Sequence, residues 1–162
     1  MQVQCIRGQL GFSPSDLNDY IECEHLTGLA LEVARGTRRR THFPNQYTDL
    51  LRRKGEEHEA AYLSQLRREG RHVVDVGPRD SGDFEEAARA TAEAMRTGAE
   101  IIYQATFVHD DWRGRADFLE RVDQSPMLGP WGYEAIDAKL ARAQKPTYVL
   151  QPCTRLSITS RP

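Results

Sequence analysis

Asp137 and Lys139 stand two residues apart in the segment YEAIDAKLA. That segment reads as a strand, and residues i and i+2 of a strand share a face. A carboxylate and an ammonium therefore point together, while Ile136, Ala138 and Leu140 turn to an apolar side. Such a pair is costly to bury unless it is ion-paired or metal-bound. It is either a surface Asp–Lys pair or half of a catalytic centre. Asp117, in RGRADFLERV, lies on the strand expected before it. If the two strands pair around the loop at 124–131, Asp117 meets Asp137 across the sheet. Two adjacent carboxylates repel each other, and a divalent cation resolves the repulsion. Hard oxygen ligands suit Mg2+ or Mn2+. A salt bridge from Asp117 to Arg113 or Arg115 is the alternative.

His58, in KGEEHEAAYL, supplies a third polar group on a long helix. Gly55 precedes it where alanine would serve a helix better, which suggests close packing against the sheet. Glu57 and Glu59 are alternative ligands, although 100° per residue turns them away from His58.

The elements that must position these residues follow from pattern. Ser13, Pro14 and Asp16 form a helix start, and an apolar stripe runs from Leu17, Tyr20 and Ile21 through Leu26, Leu29 and Val33 to Gly36. Residues 37–46 read as a connector. Residues 47–70 read as an amphipathic helix, with Leu50, Leu51, Ala61, Leu63 and Leu66 as its apolar positions. Strands are expected at 72–76, 101–109, 113–122 and 133–141, a helix at 83–97, and a short helix from Pro146 to Leu150. Late consecutive strands point to antiparallel pairing within an α/β mixed sheet.

The chain has 162 residues, a net charge of −2, 39% hydrophobic and 28% charged residues. These values fit a globular domain with a real core. The sequence contains no apolar run long enough to cross a bilayer and opens without a secretory h-region, so a cytoplasmic location is expected. Cys5, Cys23 and Cys153 are widely spaced and suggest reduced thiols. Arg35, Arg38, Arg39 and Arg40 form one basic cluster and Arg52, Arg53 and Lys54 another. Each is either a solvated surface or a phosphate-binding patch.

Taken together, G-x-x-H-E at 55–59, G-R-A-D at 114–117 and I-D-A-K at 136–139 resemble, in order and spacing, the RecB-like nucleases of the PD-(D/E)XK superfamily. The resemblance spans about residues 12–151 and is strongest to nucleases that form the N-terminal part of longer bacterial proteins, ahead of a helicase region. It implies a restriction-endonuclease-like α/β fold, a mixed central sheet flanked by helices. It implies that His58, Asp117, Asp137 and the Ala138 carbonyl hold Mg2+ or Mn2+, and that Lys139 works with Asp137 and Asp117 in cleaving DNA phosphodiester bonds in repair or recombination. Gln151, Lys145, Arg38 and Arg39 would grip DNA, single-stranded or at duplex ends. Tyr103 and Tyr148 either stack on bases or pack in the core.

The pattern departs from the family at its end. Gln151 fits the first position of a Q-x-x-x-Y motif, but Arg155 takes the tyrosine position and Pro152 interrupts the helix. The expectation is therefore a nuclease domain at 1–151 and an aberrant or disordered tail at 152–162, from a truncated reading frame. The corresponding alternative is a catalytically impaired DNA-binding or docking fragment of a larger helicase–nuclease. Some relatives carry an iron–sulfur cluster on one early and three late cysteines. Cys23 matches the early one, but only Cys153 lies late, so no cluster is expected.

Overall fold

The computed structural model describes residues 3–6, 8–41, 45–77, 84–123 and 131–136. A short antiparallel hairpin, β1 (Gln4–Ile6) and β2 (Gln9–Gly11), opens the chain. Helices α1 (Pro14–Glu22), α2 (Glu24–Ala34) and α3 (Gln46–Arg68) follow. Then come β3 (Val73–Asp75), α4 (Phe84–Arg96), β4 (Ile101–His109), β5 (Trp112–Val122) and β6 (Gly132–Ile136). The larger sheet has four strands in the order β3-β4-β5-β6, with β3 parallel to β4 and the other neighbours antiparallel. The protein is a mixed α/β structure, as its pattern implies.

Alternation along the strands divides the core into two layers. Val73, Ile101, Phe118 and Ile136 cluster with Tyr62, Leu63 and Leu66 of α3. Their neighbours Val74, Ile102, Leu119 and Ala135 cluster with Ala94 and Met95 of α4. Adjacent strand residues face opposite ways, so α3 and α4 cover opposite faces. Phe118 anchors the α3 side, edge-on to Tyr62 at 4.9 Å between ring centroids.

The helix ends obey local chemistry. Ser13 caps α1, its amide and hydroxyl both donating to Asp16 Oδ2 at 2.7 and 2.6 Å. The Asn45 side chain accepts from the Tyr47 amide at 3.0 Å to start α3. Gly70, at φ +78°, ends α3 in a left-handed turn that lets the Arg71 amide reach the Leu66 carbonyl at 3.0 Å.

Several sequence expectations change. The single early helix is two, because Cys23 takes an extended backbone (φ −165°, ψ 110°) between α1 and α2. The hairpin β1–β2 has no counterpart in the expected elements. It docks on the β4–β5 turn, where the Phe12 amide donates to the Asp111 carbonyl and the Arg113 amide to the Phe12 carbonyl. Leu50 and Leu51 are exposed at 41% and 47%, so the apolar stripe of α3 is buried only in its second half. Open space surrounds Gly55: a Cβ built there has no atom within 4 Å, so close packing is not its role. The short helix expected at 146–150, the end of the strand expected at 133–141 and the tail at 152–162 lie outside the described residues.

Candidate functional site

α3 crosses the sheet with two acids of different fate. His58 and Glu57 are exposed, and Glu57 pairs with Lys54 at 2.6 Å. Glu59, only 5% exposed, faces the sheet. The 100° step between neighbours separates the two directions, as expected, and the inward one belongs to the glutamate. Tyr62, Leu63 and Leu66 continue the same inward face at i+3, i+4 and i+7 from Glu59. That spacing is the sequence signal that identifies Glu59 as a core-facing acid.

Beneath Glu59 lies the irregular rung of the sheet. Gln104, 4% exposed, has φ +57° in the middle of β4. A left-handed backbone at a residue other than glycine costs about 1–2 kcal/mol. Pairing runs from Tyr103↔Phe118 to Ala105↔Ala116 and skips the rung between, where Gln104 stands opposite Asp117. The faces exchange at this point: Tyr103 and Phe118 belong to the α3 layer, whereas Ala105 and Ala116 belong to the α4 layer.

The Gln104 amide nitrogen donates to Glu59 Oε1. Burial, then the neighbouring Glu59 carboxylate, pushes the Tyr103 phenol up to about 12. Tyr103 packs on Phe118 at 5.1 Å, which gives it a core role.

Asp117 is half-buried on β5. Its strand neighbours Arg113 and Arg115 lay their guanidinium groups over the Phe84 ring, at 5.7 and 4.7 Å. β6 is paired with β5 as far as Ile136↔Phe118. Asp137, Ala138, Lys139, Lys145, Gln151 and Tyr148 lie outside the described residues. Of the basic positions, Arg38 and Arg39 are exposed after α2, and Arg38 pairs with Glu32 at 2.5 Å. The structure thus brings Glu59, Gln104 and Asp117 to one stretch of sheet and leaves His58 on the outer surface of α3.

Oxygen donors such as Glu59 and Asp117 are the chemistry Mg2+ and Mn2+ prefer. Among the described residues, no group of three His, Cys, Asp or Glu side chains is arranged to hold a metal ion, so a full set requires residues beyond Ile136. Cys5 and Cys23 are free and exposed. Among the described residues no helix is long and apolar enough to cross a membrane. No protein-family model, curated protein or solved structure matches the chain.

Proposed function

We propose that the chain is a metal-dependent nuclease of the RecB-like, restriction-endonuclease-like type, hydrolysing DNA phosphodiester bonds. The observation that carries this reading is the β5–β6 register. Ile136 pairs with Phe118 in antiparallel strands. In sequence, Asp137 follows Ile136 by one peptide and Asp117 precedes Phe118 by one, a single Cα step of about 3.8 Å in each case. The motif acids are therefore chain neighbours of a paired rung. Further support is that α3, which carries G-x-x-H-E, packs on the same two residues.

In this reading Asp117, Asp137, the Ala138 carbonyl and His58 hold Mg2+ or Mn2+. When bound, the metal supplies charge to polarise the scissile phosphate and lowers the pKa of an attacking water. Lys139 orients that water or stabilises negative charge developing on the phosphate. Arg38, Arg39, Lys145 and Gln151 are the backbone-gripping set, with binding that weakens as salt rises. The DNA partner is a single strand or a duplex end, and a helicase region in cis would supply it in longer relatives.

The test is Mn2+-supported cleavage of labelled single-stranded and duplex DNA by wild-type, Lys139→Ala and Asp117→Asn chains. Both variants should lose on the order of 100-fold or more in rate, with DNA binding retained for Lys139→Ala. Cleavage unchanged in both variants would sink the reading. DNA binding by a wild-type chain without any cleavage would establish the binding fragment instead.

A further inference from the structure

The helices ahead of the sheet leave two apolar patches exposed, and the rims of the two patches carry opposite charge. On α1 and α2, Tyr20, Ile21 and Leu26 are 48%, 56% and 43% exposed, and α2 buries no residue fully. On α3, Tyr47 is 67% exposed and stands beside the exposed Leu50 and Leu51. These three sit at i, i+3 and i+4, so they form one stripe. Apolar side chains grouped on a surface mark interaction sites, whereas scattered ones do not. Residues 8–34 hold five Asp or Glu and no Lys or Arg, while residues 35–54 hold seven Lys or Arg and one Asp. Glu22 and Glu24 are exposed beside the first patch, Arg52 and Arg53 beside the second. The in-chain pairs Arg38–Glu32 and Lys54–Glu57 do not involve these four residues. Burial, then the neighbouring carboxylates of Asp16 and Glu22, holds the Asp19 carboxyl above its usual range, so the acids of α1 act on one another as a cluster.

We propose that the chain pairs with a second copy of itself: the apolar patch of α1 and α2 on one copy seats against the α3 stripe of the other, with Glu22 and Glu24 meeting Arg52 and Arg53. Like charge disfavours the two alternative pairings, since α3 on α3 sets arginine against arginine and α1–α2 on α1–α2 sets acid against acid. A nucleic acid would suit the arginines, but it would match neither the apolar stripe between them nor the acidic patch. A second copy supplies the complement of both patches at once. Each copy carries both, so the contact is made twice about a two-fold axis and closes as a dimer. The pairing does not depend on the nuclease reading and uses none of the residues assigned there to the metal or to DNA.

Sedimentation equilibrium of the full chain across about 2–200 µM, at about 50 and 500 mM NaCl, reads the association and its salt dependence. A monomer–dimer equilibrium should appear and should weaken at the higher salt. Ile21→Ala and Leu51→Ala, one on each patch, should each raise the dissociation constant about 10-fold. Both positions are exposed, so the dilute monomers should melt as wild type does. Arg52→Glu with Arg53→Glu, or Glu22→Lys with Glu24→Lys, should each weaken pairing by about 10-fold or more, and a chain carrying all four changes should pair again. A chain that stays monomeric throughout overturns the proposal. So does a dimer indifferent to substitution on either patch, or one that the four-residue exchange fails to restore. Should a charge variant fail to fold, the two alanine variants decide: unchanged affinity in either overturns the proposal.

Discussion

Replacing Gly98 by alanine should loosen the start of β6, and the structure sets the size of the effect. Gly98 ends α4 at φ +73°, and a Cβ there falls 2.9 Å from Trp131 Cζ2 and 3.1 Å from Cη2. A rigid indole cannot yield as a flexible side chain would. Trp131 is held by its Nε1 donating to the Met95 carbonyl at 3.0 Å, and Arg121 lies 5.8 Å over its ring while donating to the Gly98 carbonyl at 2.7 Å. Tyr133 donates to the Ala99 carbonyl at 2.7 Å. The carbonyls at the end of α4 are thus capped by side chains of β5, β6 and the residue before β6. Alanine in a left-handed conformation costs about 1 kcal/mol. Displacing the indole forfeits a hydrogen bond of about 1 kcal/mol and part of a cation–π contact of about 0.5 kcal/mol. A total of about 2–3 kcal/mol follows, or a Tm lower by about 4–12 °C for a chain of this length. Urea denaturation followed by far-UV circular dichroism measures it. In a Trp131→Ala background Gly98→Ala should cost only the backbone part, about 1 kcal/mol. A change under about 0.5 kcal/mol in the native background would refute the packing argument.

Two further outcomes test other parts of the fold. Gly55→Ala, in open space within α3, should stabilise the protein by about 0.5–1 kcal/mol in the same denaturation assay. Tyr103, with its phenol raised to about 12, keeps its proton in the folded state while the unfolded chain loses it near pH 10. The native state therefore binds the extra proton between those values. Stability should be whole below pH 10 and fall as pH rises towards 12, by on the order of 1 kcal/mol for a partly exposed ring. Tyr103→Phe should flatten that limb, and phenolate absorbance titrated against pH should show one fewer late-titrating tyrosine.

Sequence pattern carried the long elements because each had strong periodicity and a clear stop. The helix expected at 47–70 is α3, with Asn45 and Gly70 as its boundaries. The strands IIYQATFVH and RGRADFLERV pair around Asp110 and Asp111 as expected. The pairing of β5 with β6 is also the one that the motif acids require. What escaped has local physical reasons. The three-residue strands of the first hairpin are too short to show alternation, and it is held partly by contacts with Phe12 and Trp112 far along the chain. Nothing in EHLTG or IECE announces that Cys23 turns extended. Leu26, Leu50 and Leu51 look like core residues by spacing but stay exposed. Glu59 was legible from Tyr62, Leu63 and Leu66, whereas the left-handed Gln104 was not. Its segment has the apolar character of an ordinary strand, and its contact with Glu59 joins residues 45 apart in the chain.

The location of that irregularity bears on what the fold is for. A sheet built only for stability would fill the rung under α3 with apolar side chains, since a buried carboxylate costs several kcal/mol before its partners offset it. The surrounding layer shows that such packing is available: Ile101, Phe118 and Leu66 are almost wholly buried a residue or a turn away. The chain instead buries Glu59 against Gln104, on the rung of Asp117, and gives up a ladder rung and a relaxed backbone to do so. Departures from local preference that serve no packing purpose concentrate where a protein binds or reacts. This one occurs where β4, β5 and α3 meet, one rung from the residue that leads into I-D-A-K. The coincidence of structural cost and motif position is a physical reason to test this rung for function.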